Sequence, residues 1–181
     1  MSITIKYVDK NALNIKELSG YLKNLNEEYG LISKMQPVYE KSSNKNVHYA
    51  INDQFLKFWF RFIYKYTHII EAGGNNKLKA IAERDFTTVS GKSLESYFNE
   101  VLKESGAYTR LGYWHDRKGE NEIDIIAEDE LDNKIEFIEV KRQAKNFDEN
   151  VLKAKSELFF KAIGTFKEYE VIYRGLSIDD M

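Results

Sequence analysis

Two short stretches in which charged and apolar side chains alternate constrain the fold of this chain most strongly. They are residues 121–128 and 134–141, where Asp, Glu and Lys alternate with Ile, Phe and Val. Such alternation is typical of β-strands, because successive side chains of a strand point to opposite faces. A short polar turn separates the two stretches, so the sequence predicts an antiparallel hairpin.

Helical and extended patterns surround this hairpin. Apolar residues recur at helical spacing over residues 92–105 and 148–163, and further strands are predicted over residues 107–115 and 168–174. The resulting order is α-β-β-β-α-β. It predicts a mixed sheet with helices on its faces, a fold of the α/β (α+β) class.

The first half of the chain has a different pattern. A helix is predicted from Ile15 to Leu25, followed by strands over residues 31–39 and 47–51 that a polar loop, residues 40–46, joins. A helix followed by a ribbon with a polar tip is typical of the back of a winged helix. Met1–Leu13 is too short for the earlier helices of that module, so we expect a partial winged helix.

An aromatic-rich segment follows, and it predicts a helix over Phe55–Tyr66 with one broad apolar face. Lys57, Arg61 and Lys65 form a basic stripe at helical spacing on another face. We expect the aromatic side chains to lie in the core and the basic stripe to face water.

A Gly-Gly-Asn-Asn run at residues 73–76 marks the boundary between two predicted domains. They are a partial winged helix with the aromatic helix, residues 1–75, and a second domain, residues 76–181. A further helix is predicted over residues 77–86.

Composition excludes several classes of function. The chain has 181 residues and no cysteine, which excludes disulfides, thiolate metal sites and thiol nucleophiles and fits a reducing cytoplasm. Its N-terminus lacks the layout of a signal peptide, and its most apolar stretch, residues 55–70, is interrupted by three basic residues. About 20 mostly apolar residues are needed to span a bilayer, so we predict a cytoplasmic protein without a membrane segment.

Charge is distributed unevenly along the chain. The formal net charge is −2, with +4 on residues 1–90 and −6 on residues 91–181. Proteins that bind DNA mainly through phosphate contacts are usually basic overall. Any contact with nucleic acid is therefore expected to be local, and the basic first half is the better place for it.

The predicted hairpin carries the chemically informative residues Asp124, Glu139 and Lys141. A turn at Leu131-Asp132 places Asp124 opposite Glu139, and a turn at Asp132-Asn133 places it opposite Lys141. In a regular hairpin either register puts all three charged groups on one face.

Two carboxylates about 5 Å apart repel by roughly 3 kcal/mol at an effective dielectric constant of about 20. A folded protein offsets this by protonating one of them, by placing a lysine between them, or by binding a divalent cation. Oxygen ligands without His or Cys suit Mg²⁺ or Mn²⁺. A salt bridge of Lys141 with the pair and a cation site are both open at this point.

The hairpin carries Asp124, then fourteen intervening residues, then Glu139-Val140-Lys141, and it follows a predicted helix that carries Glu95. This motif resembles that of the PD-(D/E)xK nuclease superfamily. The α-β-β-β-α-β order is similar to the core of that superfamily. The proline of the motif is absent, because Ile123 precedes Asp124.

A second resemblance covers nearly the whole chain. It rests on four segments: Tyr21–Leu25, Gly30–Ile32, Pro37-Val38 and Tyr49–Tyr64, the last of which includes a Phe-Trp-Phe-Arg-Phe run. These segments resemble archaeal and bacterial AAA-type ATPases with a nuclease-like C-terminal module. The chain lacks the ATPase domain and the front of the winged helix. The resemblance therefore implies a C-terminal fragment or a shortened relative.

These resemblances imply a metal-assisted phosphodiester hydrolase. Asp124 and Glu139 would hold Mg²⁺ or Mn²⁺ with the Val140 carbonyl as a third ligand, and Lys141 would orient the attacking water or stabilise charge on the phosphate. Glu95 would be an outer ligand or a ligand of a second metal.

Other polar residues have weaker support. Glu122 is expected to share the face of Asp124 and to be able to replace it, whereas Gln143 and the helix lysine Lys155 are expected to face water. Ser90-Gly91-Lys92-Ser93 mimics a phosphate-binding loop, but Phe86 stands where that loop requires glycine, so no ATP site is predicted.

The sequence thus leads to two hypotheses. The first is a Mg²⁺-dependent nuclease-like domain that acts on DNA. The second is an inactive module of the same fold that binds an ATPase domain, forms a homodimer or contacts nucleic acid.

Overall fold

The computed structural model describes residues 2–3, 15–39, 48–164 and 166–181. These divide by their contacts into two compact units. The described parts of the first unit are residues 2–3, 15–35 and 48–89, and those of the second are residues 36–39, 90–164 and 166–181. The predicted domain boundary after residue 75 stays a prediction.

In its described residues the first unit contains three short strands and several helical segments. They are β1 (Ser2–Ile3), α1 (Ile15–Glu27), β2 (Ile32–Met35), β3 (His48–Ile51), α2 (Gln54–Phe58), α3 (Thr67–Glu71) and the start of α4 (Asn75–Glu104). The strands form an antiparallel sheet in the order β1-β3-β2. Gly30 has a φ of +60°, which glycine adopts without strain, and the Leu31 N–H beyond it closes α1 on the Leu25 carbonyl.

The predicted first helix and the two strands after it are therefore confirmed, with shorter strands than expected. The whole predicted loop tip, residues 40–46, and most of Met1–Leu13 lie outside the described residues. The partial winged helix stays a prediction.

The aromatic segment is helical but irregular. Between α2 and α3 the backbone forms a π-helical turn, Trp59–Ile63, and a 3₁₀ turn, Tyr64–Tyr66. A π turn spreads residues over a wider turn than an α-helix, so side chains at α-helical spacing do not stay on one face.

The expectation that the aromatic side chains of the predicted apolar face lie in the core is confirmed for Phe62 and wrong for Phe55, Phe58 and Trp59, which are exposed. Phe60 and Tyr64, which lie outside that predicted face, are exposed as well. The basic stripe is also incomplete, because the Arg61 guanidinium lies 2.8 Å from a carboxylate oxygen of Asp85.

Helix α4 is longer than predicted. The structure joins the two predicted helices, residues 77–86 and 92–105, into one helix that continues through Gly91. Glycine inside a helix costs about 1 kcal/mol relative to alanine, and that cost alone does not end a helix whose hydrogen bonds continue on both sides. Within the described parts of the chain, none of the helices combines the length and apolar character that a membrane span requires.

The second unit has the predicted order α-β-β-β-α-β. After α4 come β4 (Arg110–His115), β5 (Glu122–Asp129), β6 (Lys134–Val140), α5 (Glu149–Ile163) and β7 (Glu170–Leu176). The sheet order is β4-β5-β6-β7, in which the first two pairs are antiparallel and the last is parallel. Helix α5 crosses from β6 to β7, as a parallel pair requires. The predicted mixed sheet with helices is confirmed.

The register of the β5–β6 hairpin follows the first of the two predicted alternatives. Ile125 pairs with Ile138 and Asp129 with Lys134. This is the register of a turn centred on Leu131-Asp132, so the alternative turn at Asp132-Asn133 is wrong.

Strand β5 contains a β-bulge at Asp124-Ile125. Gly112 pairs with Ile126 and Trp114 pairs with Ile123, so two residues of β5 lie opposite the single residue Tyr113. A bulge turns the side chains that follow it and is frequent beside functional sites.

The bulge interrupts the predicted alternation of faces. Ile123 packs in the cluster that contains Leu152 and Phe159 of α5, whereas Ile125 packs in the cluster that contains Leu94 and Phe98 of α4. The prediction that Ile123 and Ile125 share a face is therefore wrong. An inserted residue shifts the strand's period-two pattern by one step.

Residues 36–39 belong to the second unit and pack on its strand β4. The Val38 N–H donates to the Tyr113 carbonyl at 2.9 Å, and the Val38 side chain lies over Gly112. A Cβ at Gly112 would be 2.7 Å from Val38 Cγ1, so glycine is needed for this close approach.

Helix α5 provides a matched test of this core. Leu152 is fully buried, whereas Leu158 is 38% exposed on the same helix. We expect Leu152→Ala to lower the free energy of unfolding by about 2–5 kcal/mol, because it leaves a cavity. Leu158→Ala is expected to lower it by about 1 kcal/mol. Urea unfolding followed by circular dichroism measures both, and equal losses would contradict the packing described here.

Candidate active site

The site begins where β5 and β6 separate. Their backbone ladder ends at the Ile125–Ile138 pair, and the next donor of β6, the Val140 N–H, donates to Asp124 Oδ2 at 2.8 Å. The Asp124 side chain therefore takes the place of a backbone acceptor. A buried N–H without such a partner would cost about 1–3 kcal/mol.

The carboxyl group of Asp124 has a raised pKa in this position. Burial raises the pKa of its carboxyl, and the nearby negative charge of Glu139 raises it further. The hydrogen bond from Val140 and the charges of Lys141 and Lys92 act in the opposite direction without cancelling the rise in pKa.

Glu139 is more deeply buried, with 7% of its surface exposed, but it is held by two ammonium groups. Lys141 Nζ lies 2.6 Å from Oε1, and Lys155 Nζ, which comes from α5, lies 3.0 Å from both Oε1 and Oε2. Burial opposes ionisation of Glu139, yet these two lysines outweigh it and hold the pKa of Glu139 below its usual range.

Glu95 lies on α4 and is half-buried. Burial raises its pKa, and the negative charge of Asp124 raises it further, against the ion pair that Glu95 Oε2 makes with Lys92 Nζ at 2.9 Å. Lys92 is also 3.8 Å from Glu122, which is exposed. Burial lowers the pKa of Lys92, but its acidic neighbours leave that pKa above the usual value.

The structure thus brings four sequence-predicted residues into one charged cluster, namely Glu95, Asp124, Glu139 and Lys141. The sequence predicted Asp124, Glu139 and Lys141 on a single face of a regular hairpin. This is wrong, because the bulge and the end of the ladder remove Asp124 from the regular alternation. Gln143 is exposed.

Two residues of the cluster were missed in the sequence. Lys92 stands in the false phosphate-binding loop, but its position three residues before Glu95 on a helix is the signal that predicts their ion pair. Lys155 was expected to face water and instead binds Glu139. No local pattern indicates this contact, because it joins two elements that only the fold brings together.

Among the residues that the structure describes, no group of three or more His, Asp or Glu side chains is gathered closely enough to hold a metal ion. The predicted ligand set is smaller and consists of the Asp124 and Glu139 carboxylates with the Val140 carbonyl.

The donor chemistry of this set fits a hard divalent cation such as Mg²⁺ or Mn²⁺. Asp124 and Glu95 are partly buried acids with raised pKa values, and a cation would favour their ionised forms. Each carboxylate oxygen has two lone pairs, so the lysines on Glu139 leave acceptor capacity for an ion.

Comparison with known proteins places the chain in a family. Residues 59–154 match DUF234, described as archaeal and bacterial proteins of unknown function. The chain belongs to this family. The matched region includes Glu95, Asp124, Glu139 and Lys141.

An uncharacterised protein of Methanocaldococcus jannaschii is 33% identical to the chain over 177 aligned positions. The alignment covers 91% of this chain and 38% of that relative. No solved structure matches the chain.

The raised pKa of Asp124 gives a prediction about stability. Ionising Asp124 in the folded state is unfavourable, so its contribution to stability is greatest below the pKa of an unfolded aspartate and is lost as the pH rises through the folded-state pKa. Asp124→Asn removes this penalty and keeps an acceptor for the Val140 N–H. We expect the variant to melt at a higher temperature than wild type at about pH 8, by about 2–4 °C for each 1 kcal/mol regained. The difference should disappear at about pH 3, where the carboxyl is protonated in both states.

Glu122→Gln is the matched control, because Glu122 lies on the same strand but is exposed. Its melting temperature should follow that of wild type at both pH values. An Asp124→Asn variant that is less stable than wild type at about pH 8 would contradict the electrostatic account of Asp124.

Proposed function

We propose that this chain is a Mg²⁺- or Mn²⁺-dependent phosphodiester hydrolase acting on DNA, with a PD-(D/E)xK-type core. The observation that carries the proposal is the cluster at the end of the β5–β6 ladder. It combines two carboxylates on adjacent strands, Asp124 and Glu139, with Lys141 two residues further on and Glu95 on α4.

Each residue has a role in this proposal. Asp124, Glu139 and the Val140 carbonyl hold the metal ion, and Glu95 is an outer ligand or serves a second ion. When bound, Mg²⁺ or Mn²⁺ supplies Lewis-acid polarisation of the phosphate. Lys141 orients the attacking water or stabilises the charge that develops on the phosphate.

The wider setting is also a proposal. The chain spans 38% of the length of its M. jannaschii relative. We propose that the nuclease-like domain acts in the cytoplasm as a part, or as a partner in trans, of an AAA-type ATPase.

Cleavage of plasmid and branched DNA tests the proposed chemistry. We expect the chain to cut DNA with Mg²⁺ or Mn²⁺, to lose this activity in EDTA, and to be slowed about 100–1000-fold by Lys141→Ala. Lys153→Ala is the matched control, because Lys153 lies on the surface of α5 and pairs with Glu149 at 2.6 Å. Failure to cut any DNA, together with no binding of Mn²⁺ in calorimetry, would exclude catalysis.

A second candidate function is an inactive module that pairs with a second copy of itself. It is favoured by the row of exposed aromatic side chains between Phe55 and Tyr64, because soluble monomers rarely expose large contiguous apolar patches. The uneven charge, +4 on residues 1–90 and −6 on residues 91–181, favours association between copies.

Light scattering tests this second candidate. We expect a dimer that Trp59→Ala weakens by at least about 2 kcal/mol, as for a central aromatic contact of an interface. Phe86→Ala is the control, because Phe86 is exposed on α4 outside the aromatic row. A chain that stays monomeric at all concentrations would contradict self-association.

A further inference from the structure

The two ammonium groups that hold Glu139 are not equivalent. Lys141 Nζ contacts only Oε1, at 2.6 Å, whereas Lys155 Nζ contacts both Oε1 and Oε2, each at 3.0 Å. The proposed function uses Lys141 and leaves Lys155 without a role. The question is what a second lysine on the same carboxylate does.

Lys155 comes from a well-anchored part of α5. The residues around it on the helix, Leu152, Ser156 and Phe159, are fully buried. Ser156 Oγ lies 2.9 Å from the Tyr173 hydroxyl of β7. The Lys155 side chain is only 20% exposed, and the buried helix positions around it hold its backbone in place while its ammonium contacts Glu139.

Lys141 is placed differently. It follows the last residue of β6, and its N–H donates to the Leu176 carbonyl at 2.8 Å before the chain leaves the sheet. Its side chain is 35% exposed, so it is the more accessible of the two lysines. Lys141 is therefore the one that can reach a ligand arriving from solvent.

Charge balance links the two lysines. Glu139 is buried, and a buried carboxylate that loses its one counter-ion is strongly destabilised. With Lys141 alone, movement of its ammonium to a phosphate would remove the one ammonium group from Glu139 and leave the proposed metal ion as its sole positive partner. With Lys155 on both oxygens, Glu139 keeps a counter-ion when Lys141 departs.

We propose that Lys155 is a positioning residue that holds both oxygens of Glu139 and remains its counter-ion while Lys141 exchanges Glu139 for a phosphodiester oxygen. This role rests on the proposed function. In this role the ion pair of Glu139 with Lys155 on α5 is permanent, whereas its ion pair with Lys141 at the end of β6 is exchanged.

Steady-state cleavage of DNA with Mg²⁺ tests the role. Without Lys155, Lys141 stays with Glu139, so we expect Lys155→Met to lower kcat about 10–100-fold while KM for DNA changes less than about threefold. Lys155→Arg keeps the charge and should recover most of the loss. Lys153→Met makes the same charge change two residues away, outside the cluster, and should behave as wild type. An unchanged kcat in Lys155→Met would overturn the role.

A double variant separates positioning from an independent contribution. If Lys155 acts through Lys141, the variant Lys141→Met/Lys155→Met should be no slower than Lys141→Met alone, within about threefold. Losses that multiply would show that Lys155 acts on the reaction independently of Lys141, which would overturn the proposal.

The lysine ammonium signals in ¹⁵N NMR of the metal-free protein give a readout that needs no activity. Lys155→Met should make the Lys141 ammonium signal more ordered, because Lys141 becomes the only partner of Glu139, and Lys153→Met should leave it unchanged. A Lys141 signal that does not respond to Lys155→Met would overturn the proposal. Thermal melting checks that each variant folds. If Lys155→Met does not fold, the same experiments are carried out with Lys155→Gln.

The two proposals fail separately. If wild type cuts no DNA and binds no Mn²⁺, the proposed function fails, whatever the ammonium signals show. If wild type cuts DNA and Lys155→Met cuts equally well, only the positioning role fails.

Discussion

Burial of charge at the point where β5 and β6 separate is the constraint on which the site depends. The strands separate there, so the Val140 N–H has no backbone acceptor on β5 and donates to the Asp124 carboxylate instead. A carboxylate in that position lies beside Glu139, and neither acid can be ionised and buried without nearby cations. Lys92, Lys141 and Lys155 supply them, from α4, from the end of β6 and from α5.

Glu128, a second carboxylate on β5, is buried and is stabilised entirely by hydrogen bonds and an ion pair with neighbouring side chains. Its oxygens accept hydrogen bonds from the hydroxyls of Tyr39 and Tyr169 and from the Arg110 guanidinium. Burial and the bond to Glu128 raise the pKa of Tyr39 well above its usual value, which keeps the hydroxyl protonated as a donor. Both carboxylate oxygens of Glu128 have hydrogen-bond partners in this arrangement.

In the Asp124 cluster two acids, Asp124 and Glu95, retain raised pKa values despite three lysines nearby. Acids that are perturbed by burial and by one another, next to accessible ammonium groups, are typical of sites that bind cations or move protons. This combination is the physical basis for choosing the Asp124 end of β5 as the candidate site.

The successes and failures of prediction from sequence follow the range of the interactions involved. The order of elements along the chain depends on local patterning and was predictable. The sequence limited the β5–β6 register to two alternatives, and the structure has the one with the turn at Leu131-Asp132. The failures concern features that neighbouring elements decide, namely the bulge at Asp124-Ile125, the continuation of α4 through Gly91 and the exposure of Trp59.

The amino-acid sequence by itself determined the order of elements in the second unit and the hairpin. It also determined that Asp124 and Glu139 lie on adjacent strands with Lys141 directly after the second of them. Periodicity and turn chemistry act over a few residues, which is why these features were predictable. Only the tertiary structure decided which groups neutralise these acids. Lys155 and Glu139 are sixteen residues apart, on α5 and β6, and their contact depends on how α5 packs across the sheet through Leu152 and Phe159. Packing of that kind has no local signature, because it follows from the shape and burial of the whole core.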